Sequence, residues 1–210
     1  MNVAVEGSLR RAARWVAALN LGYFVIEIAV ALAIGSVSLF ADSIDFLEDA
    51  SIGILLLVGL SWSAPARARL GMALAGIILV PSLATLVMAW VRWSSGTPPQ
   101  PVALGLAGLG ALVVNAACAW LLAAQRAEGG SLVRAAFLSA RNDVLANIAI
   151  IAAAPLTAAT RSPWPDLVVG LAIAALNASA AWEVFEAARD EGRVEVALGE
   201  RAEPKGTMNV

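Results

Sequence analysis

Six apolar stretches, each about 20 residues or longer and so long enough to cross a bilayer, take up most of this chain. They run roughly over 13–34, 38–62, 69–92, 102–124, 132–157 and 165–188. Between them lie short connections with turn chemistry: Gly35-Ser36, Ser63-Ala64-Pro65, Gly96-Thr97-Pro98-Pro99, Glu128-Gly129-Gly130 and Ser162-Pro163-Trp164-Pro165. Composition points the same way. Of 210 residues, 60% are hydrophobic and only 14% charged, where a soluble domain carries about 25% charged and roughly 45–50% apolar residues. The expected fold is an all-α integral membrane protein, a six-transmembrane-helix bundle. Residues 1–190 form the membrane domain and 191–210 a short, polar, disordered cytoplasmic tail. Arg10, Arg11 and Arg14 precede the first apolar run as they would in a signal peptide. That run contains Glu27 and reaches full spanning length, so it is expected to be a retained first helix.

Basic residues set the expected orientation. With the N-terminus inside, the inner segments hold Arg10, Arg11, Arg14, Arg67, Arg69, Arg126, Arg134, Arg189, Arg193, Arg201 and Lys205. The outer segments hold Arg92 and Arg161 alone. The positive-inside rule then places both termini in the cytoplasm. All seven tryptophans fall at or near expected helix ends, as an interfacial aromatic belt requires. The expected location is a multi-pass one in a membrane, the bacterial inner or plasma membrane.

The chemistry lies in the polar residues that this topology buries. A carboxylate at the bilayer centre costs roughly 2.5–3.5 kcal/mol on insertion scales, so each must face protein or water. The second helix carries Asp42, Asp45, Glu48 and Asp49 within an arc of about 120°, on one face. The fifth carries a second polar stripe, Ser139, Asn142, Asp143 and Asn147, also expected on one side. Asp49 and Asp143 each lie about eleven residues from a helix end, near the midplane, so the stripes can face each other at one depth. Asp45 with Asp49, and Ser139 with Asp143, are i, i+4 pairs of oxygen ligands able to chelate one divalent cation. A structural alternative has the acids bonding between helices or lining a watered cavity. Four acids on one face opposite a fifth repel one another unless a cation or protons intervene, which favours the cation site.

Asn20 and Glu27 share a face of the first helix and either line the cation path or bond to a neighbour. Asn115 and Asn177 read as helix–helix hydrogen-bond partners. Arg141 lies on the side of the fifth helix opposite Ser139 and Asp143, as a counter-ion or a snorkelling side chain. A faint inverted repeat relates Asn20 and Asp49, 29 residues apart, to Asn115 and Asp143, 28 apart. With one cysteine, Cys118, and no histidine, a disulfide framework, a Cys/His zinc centre and His-based catalysis are excluded. No Gly-x-Gly-Asp occurs either, so an intramembrane hydrolase is set aside and no enzyme is expected.

These residues together resemble the cation diffusion facilitator family. The segments Asn20-Leu-Gly-Tyr-Phe-Val-Ile-Glu27 and Gly35-Ser36-Val-Ser-Leu-Phe-Ala-Asp42-Ser-Ile-Asp45-Phe-Leu-Glu-Asp49 match its opening pattern. Val114-Asn115, Ser139-x-x-x-Asp143 and Trp164-Pro165-Asp166 extend the similarity over about residues 10–190. The resemblance implies a secondary transporter moving a divalent metal out of the cytoplasm in exchange for protons. The metal is usually zinc, with cobalt, cadmium, manganese or iron as options. It implies a transport site of Asp45, Asp49, Ser139 and Asp143, with Asn20, Glu27, Asp42, Glu48, Asn142 and Asn147 along the path or behind the ligands. The metal is then cargo and no cofactor is expected. The partners are metal, protons and the lipid bilayer, not nucleic acid. The competing class is a non-transporting or degenerate relative serving as an assembly partner. Retention of the three aspartates argues against it.

Two departures stand out. Zinc-type members carry His where this chain has Ser139, which leaves an all-oxygen site and room for harder cations. The family also has a cytoplasmic metal-binding domain after the sixth helix, where about 22 polar residues follow here, fewer than a folded domain needs. Any homodimer is therefore expected to form through the membrane helices.

Overall fold

The computed structural model describes residues 3–59, 64–124, 130–179 and 182. They form six helices: α1 (Val3–Ile34), α2 (Val37–Gly59), α3 (Ala64–Ser95), α4 (Pro101–Ala123), α5 (Gly130–Thr160) and α6 (Trp164–Ser179). There is no strand among the described residues. Five expected spans coincide with helices α1 to α5, and the sixth with α6 as far as Ser179. The remainder of the sixth span except Trp182, the 191–210 tail and Trp62 lie outside the described residues.

Boundaries differ where a turn signal proves to be a helix start. Pro65 falls in the first turn of α3, where a missing N–H costs nothing, so Ala64-Pro65 opens the helix instead of preceding it. Pro101 does the same for α4, whose cap is Gln100: its Oε1 accepts from Ala103 N at 2.9 Å. Helix α1 begins well ahead of the apolar run because Arg10 and Arg11 extend it as an exposed polar turn.

The hairpin between α1 and α2 shows how the sequence fixes a corner. Gly35 adopts φ +67°, where an L side chain is strained, and a Cβ there would strike the Arg92 guanidinium packed over it. Ser36 N donates to Ala31 O at 3.0 Å, closing α1 with a Schellman-type bond. Ser36 then caps α2, its Oγ accepting from Leu39 N at 3.1 Å. Trp93 of α3 packs on Trp164 of α6 with ring centroids 6.0 Å apart. The α1–α2 turn, the end of α3 and the start of α6 therefore gather at one end of the bundle, as alternating up-and-down helices require.

The bundle is built inside out relative to a soluble protein. Val80 and Leu106 are 67% and 65% exposed, and Trp120 75%, whereas Asn20, Glu27, Asp42 and Asn147 are 0% exposed. Apolar side chains face lipid and polar ones face protein, as a low-dielectric surround dictates. The core that remains is dominated by small residues: Ala31, Ala41, Ala107, Ala154 and Ala174 pack around Leu39, Leu104, Ile150 and Ile173. Without a hydrophobic driving force between helices, such residues permit close van der Waals approach. Helix α2 is the centre. It packs on α1, α3, α4 and α5, and α6 crosses its start so closely that a Cβ on Gly170 would come 2.6 Å from Val37 C. Three helical segments, Arg10–Ile34, Pro101–Ala123 and Phe137–Thr160, are long and apolar enough to span a bilayer by composition alone. Helix α2 is as apolar as these but carries four acids, Asp42, Asp45, Glu48 and Asp49, on the face it turns to its neighbours.

Candidate cation site

The polar face of α2 meets that of α5 at two depths. In the outer-lying, half-buried set are Asp45 and Asp49 of α2 with Ser139 and Asp143 of α5. Ser139 Oγ donates to Asp49 Oδ1 at 3.2 Å, and the Asp49 and Asp143 carboxyls lie within hydrogen-bonding reach of each other. Asp143 also acts electrostatically on Asp45, and Glu48, itself 9% exposed, acts on both. The i, i+4 spacing on each helix thus puts Asp49, Ser139 and Asp143 side by side, with Asp45 within electrostatic range of Asp143. Among the described residues, no three acidic side chains converge tightly enough in this conformation to grip an ion.

One helical turn away lies a sealed set. Asn147 Nδ2 donates to Asp42 Oδ2 at 2.7 Å, and Asn115 Nδ2 donates to Asn147 Oδ1 at 3.0 Å. A relay of amides thus runs from α4 through α5 to the acid on α2. Glu27 of α1 faces Asp42. Asn20 is buried on the same helix, its Oδ1 contacted by Cys118 Sγ at 3.8 Å. Asn115 and Asn177 act as interhelical hydrogen-bond partners, Asn177 Nδ2 donating to Ala41 O at 3.0 Å.

Asn142 departs from its expected place: it is exposed on the outer surface. Taking Ser139 as zero, Asp143 and Asn147 lie at about +40° and +80° around α5, and Asn142 at about −60°. The stripe drifts one way and leaves Asn142 beyond its edge. Arg141 is exposed as well, on the far side of α5.

Sequence reasoning gave no role to Asp166, which anchors α2. Its Oδ1 accepts from Ser36 Oγ and Ser38 Oγ, both at 2.6 Å, and from Ser38 N at 3.3 Å; Oδ2 accepts from Val37 N at 2.7 Å. A carboxylate from α6 thus satisfies orphan donors at the α2 N-terminus and meets the positive end of its dipole. The Gly-Ser and Trp-Pro-Asp openings were visible in the sequence, but some 130 residues separate them.

The family model for the cation efflux transmembrane domain matches residues 14–191. The chain belongs to the cation efflux family. A search of curated proteins found no match. As a cation efflux protein, it is a membrane-embedded transporter of metal cations. The domain accounts for the helical bundle and for carboxylates held where a bilayer would otherwise exclude them.

Proposed function

We propose that this cation efflux protein exports a divalent metal across the membrane in exchange for protons, binding it at Asp45, Asp49, Ser139 and Asp143. The observation that carries the reading is the Ser139–Asp49 hydrogen bond, which sets the α5 pair against the α2 pair at one depth. Three carboxylates and a hydroxyl form an all-oxygen set suited to hard or borderline divalent ions. An arriving cation would draw the three acids together from their present separation, and it needs them ionised; protonation releases it. Carboxylates that alternate between metal and protons are the elements of an antiporter, and exposure of the site to each side in turn completes the cycle.

The test is uptake of Zn, Co, Mn, Cd, Ni and Fe(II) into proteoliposomes under an imposed pH gradient. Accumulation of at least one metal that reverses with the gradient supports the reading. Absence of flux for every metal, in protein that reconstitutes as a folded species, refutes it.

A further inference from the structure

The sealed pair Glu27 and Asp42 has no task in the site just described. Both residues are 0% exposed, and no donor reaches Glu27 Oε1, Glu27 Oε2 or Asp42 Oδ1. The two carboxyls face each other, yet two acceptors cannot satisfy each other. The neighbouring amides do not close the gap. Asn147 is committed to Asp42 Oδ2, and Asn20 Nδ2, the other unmet group on this face of α1, reaches no acceptor. The ionisable groups around the pair are Tyr23 on α1, Asp45 on α2, Asp143 on α5 and, beyond Asn20, Cys118 on α4, all of them acids; the nearest α5 side chain is neutral Asn147. Uncompensated negative charge in this interior is strongly unfavourable, so something positive belongs between the two side chains.

We infer that Glu27 and Asp42 form a second cation site, separate from the metal site, that holds one compact hard monovalent cation between α1 and α2. Either a proton shared by the two carboxyls or a dehydrated sodium ion has this chemistry, since the unmet acceptors of both side chains are carboxylate oxygens. Occupancy supplies a partner across the pair, for two of the three unmet oxygens in the case of a proton and up to all three in the case of sodium, and ties α1 to α2. If the chain transports metal as proposed above, this bound cation is a second coupling ion, held one turn from the cargo and acting beside the protons that the cargo's own carboxylates take up.

The experiment uses the full chain in lipid nanodiscs and in proteoliposomes. Infrared difference spectra after pH steps, with sodium or choline as the salt, report a protonated carboxyl. A carbonyl band indifferent to sodium and lost in the E27Q/D42N double variant identifies a proton. A sodium-dependent carboxylate change, together with radiosodium binding that the double variant lacks, identifies sodium. If the wild type gives neither signal, or the double variant keeps it, the site does not exist. In proteoliposomes, Glu27→Gln, which supplies its own amide donor to Asp42, keeps metal–metal exchange within a few-fold. It loses about tenfold or more of the gradient-driven accumulation. Loss of both in a variant with wild-type thermal stability would place the pair in the metal path and overturn the separation. A wild type that moves no metal would instead refute the transport reading, and the infrared and radiosodium results alone would decide the pair.

Discussion

Ser139 Oγ of α5 donates to Asp49 Oδ1 of α2 at 3.2 Å, so the residue in the family's histidine position touches a carboxylate. Asp49 and Asp143 are the acids nearest this junction. Asp49→Ala or Asp143→Ala each removes a charged ligand, and each is expected to reduce metal flux to background while the protein stays in the membrane. Arg141→Gln, on the exposed side of α5, should leave metal selectivity unchanged. Uptake assays on the three variants at matched protein levels check this. Normal flux in the aspartate variants would put the cation elsewhere.

Orientation is expected from the six helices among the described residues and the arginine distribution. Reporters fused at the N-terminus, within 63–68 and at the C-terminus should read cytoplasmic, and those near 97 and 162 the opposite side. The gathering of Gly35, Arg92 and Asp166 at one end of the bundle makes the 97 and 162 sites share a side. Reporters there that disagree with each other would show an odd number of crossings.

Asp166 holds α6 to the start of α2 through two hydroxyls and two backbone N–H groups. Asp166→Ala leaves Val37 N without an acceptor and is expected to cost about 2–4 kcal/mol, seen as a lower midpoint of thermal unfolding in detergent. Gly170→Ala attacks the same junction from another side, pressing a methyl against Val37 and Ser38 backbone for roughly 1–3 kcal/mol. Once α6 has moved off, the carboxylate has less to hold, so the double variant should lose less than the sum. Full additivity would mean that the two contacts are independent.

The helices and the α2–α5 facing were legible because they rest on length, hydropathy and angular arithmetic, all local to the chain. That reasoning succeeds for Asp49, Ser139 and Asp143, whose spacing puts them on one face whatever surrounds them. It fails for Asn142, because about 100° of rotation from the centre of the stripe decides between interior and lipid, and only packing sets the rotation of α5. Asp166 escaped for a different reason. Its partners are backbone N–H groups and serines of α2, and no periodicity links a carboxylate at the start of one helix to the start of another. The Glu27–Asp42 pairing is likewise tertiary: an acid on α1 and one on α2 become a couple only when the Gly35 corner folds.

Position 139 offers the sharpest test of the site. Ser139 supplies a neutral hydroxyl, whereas an imidazole there would be a borderline-soft nitrogen ligand that zinc favours. Ser139→His rebuilds a His-x-x-x-Asp pair on the same face of α5 and leaves Asp45, Asp49 and Asp143 in place. The hydroxyl already reaches Asp49, so a longer side chain from the same Cα enters the space between α2 and α5. Preference for zinc over manganese should rise a few-fold to tens-fold, each tenfold step being about 1.4 kcal/mol. The new imidazole, with an ordinary value of about 6.5, must lose its proton before it can bind metal. Zinc transport by the variant should therefore fall as pH drops through that region, more steeply than in the wild type. Competitive uptake of the two metals over about pH 5.5–8 measures both effects. An unchanged metal ratio and an unchanged pH profile in a folded variant would falsify the placement of residue 139 against the cation. The site would then be the three aspartates alone.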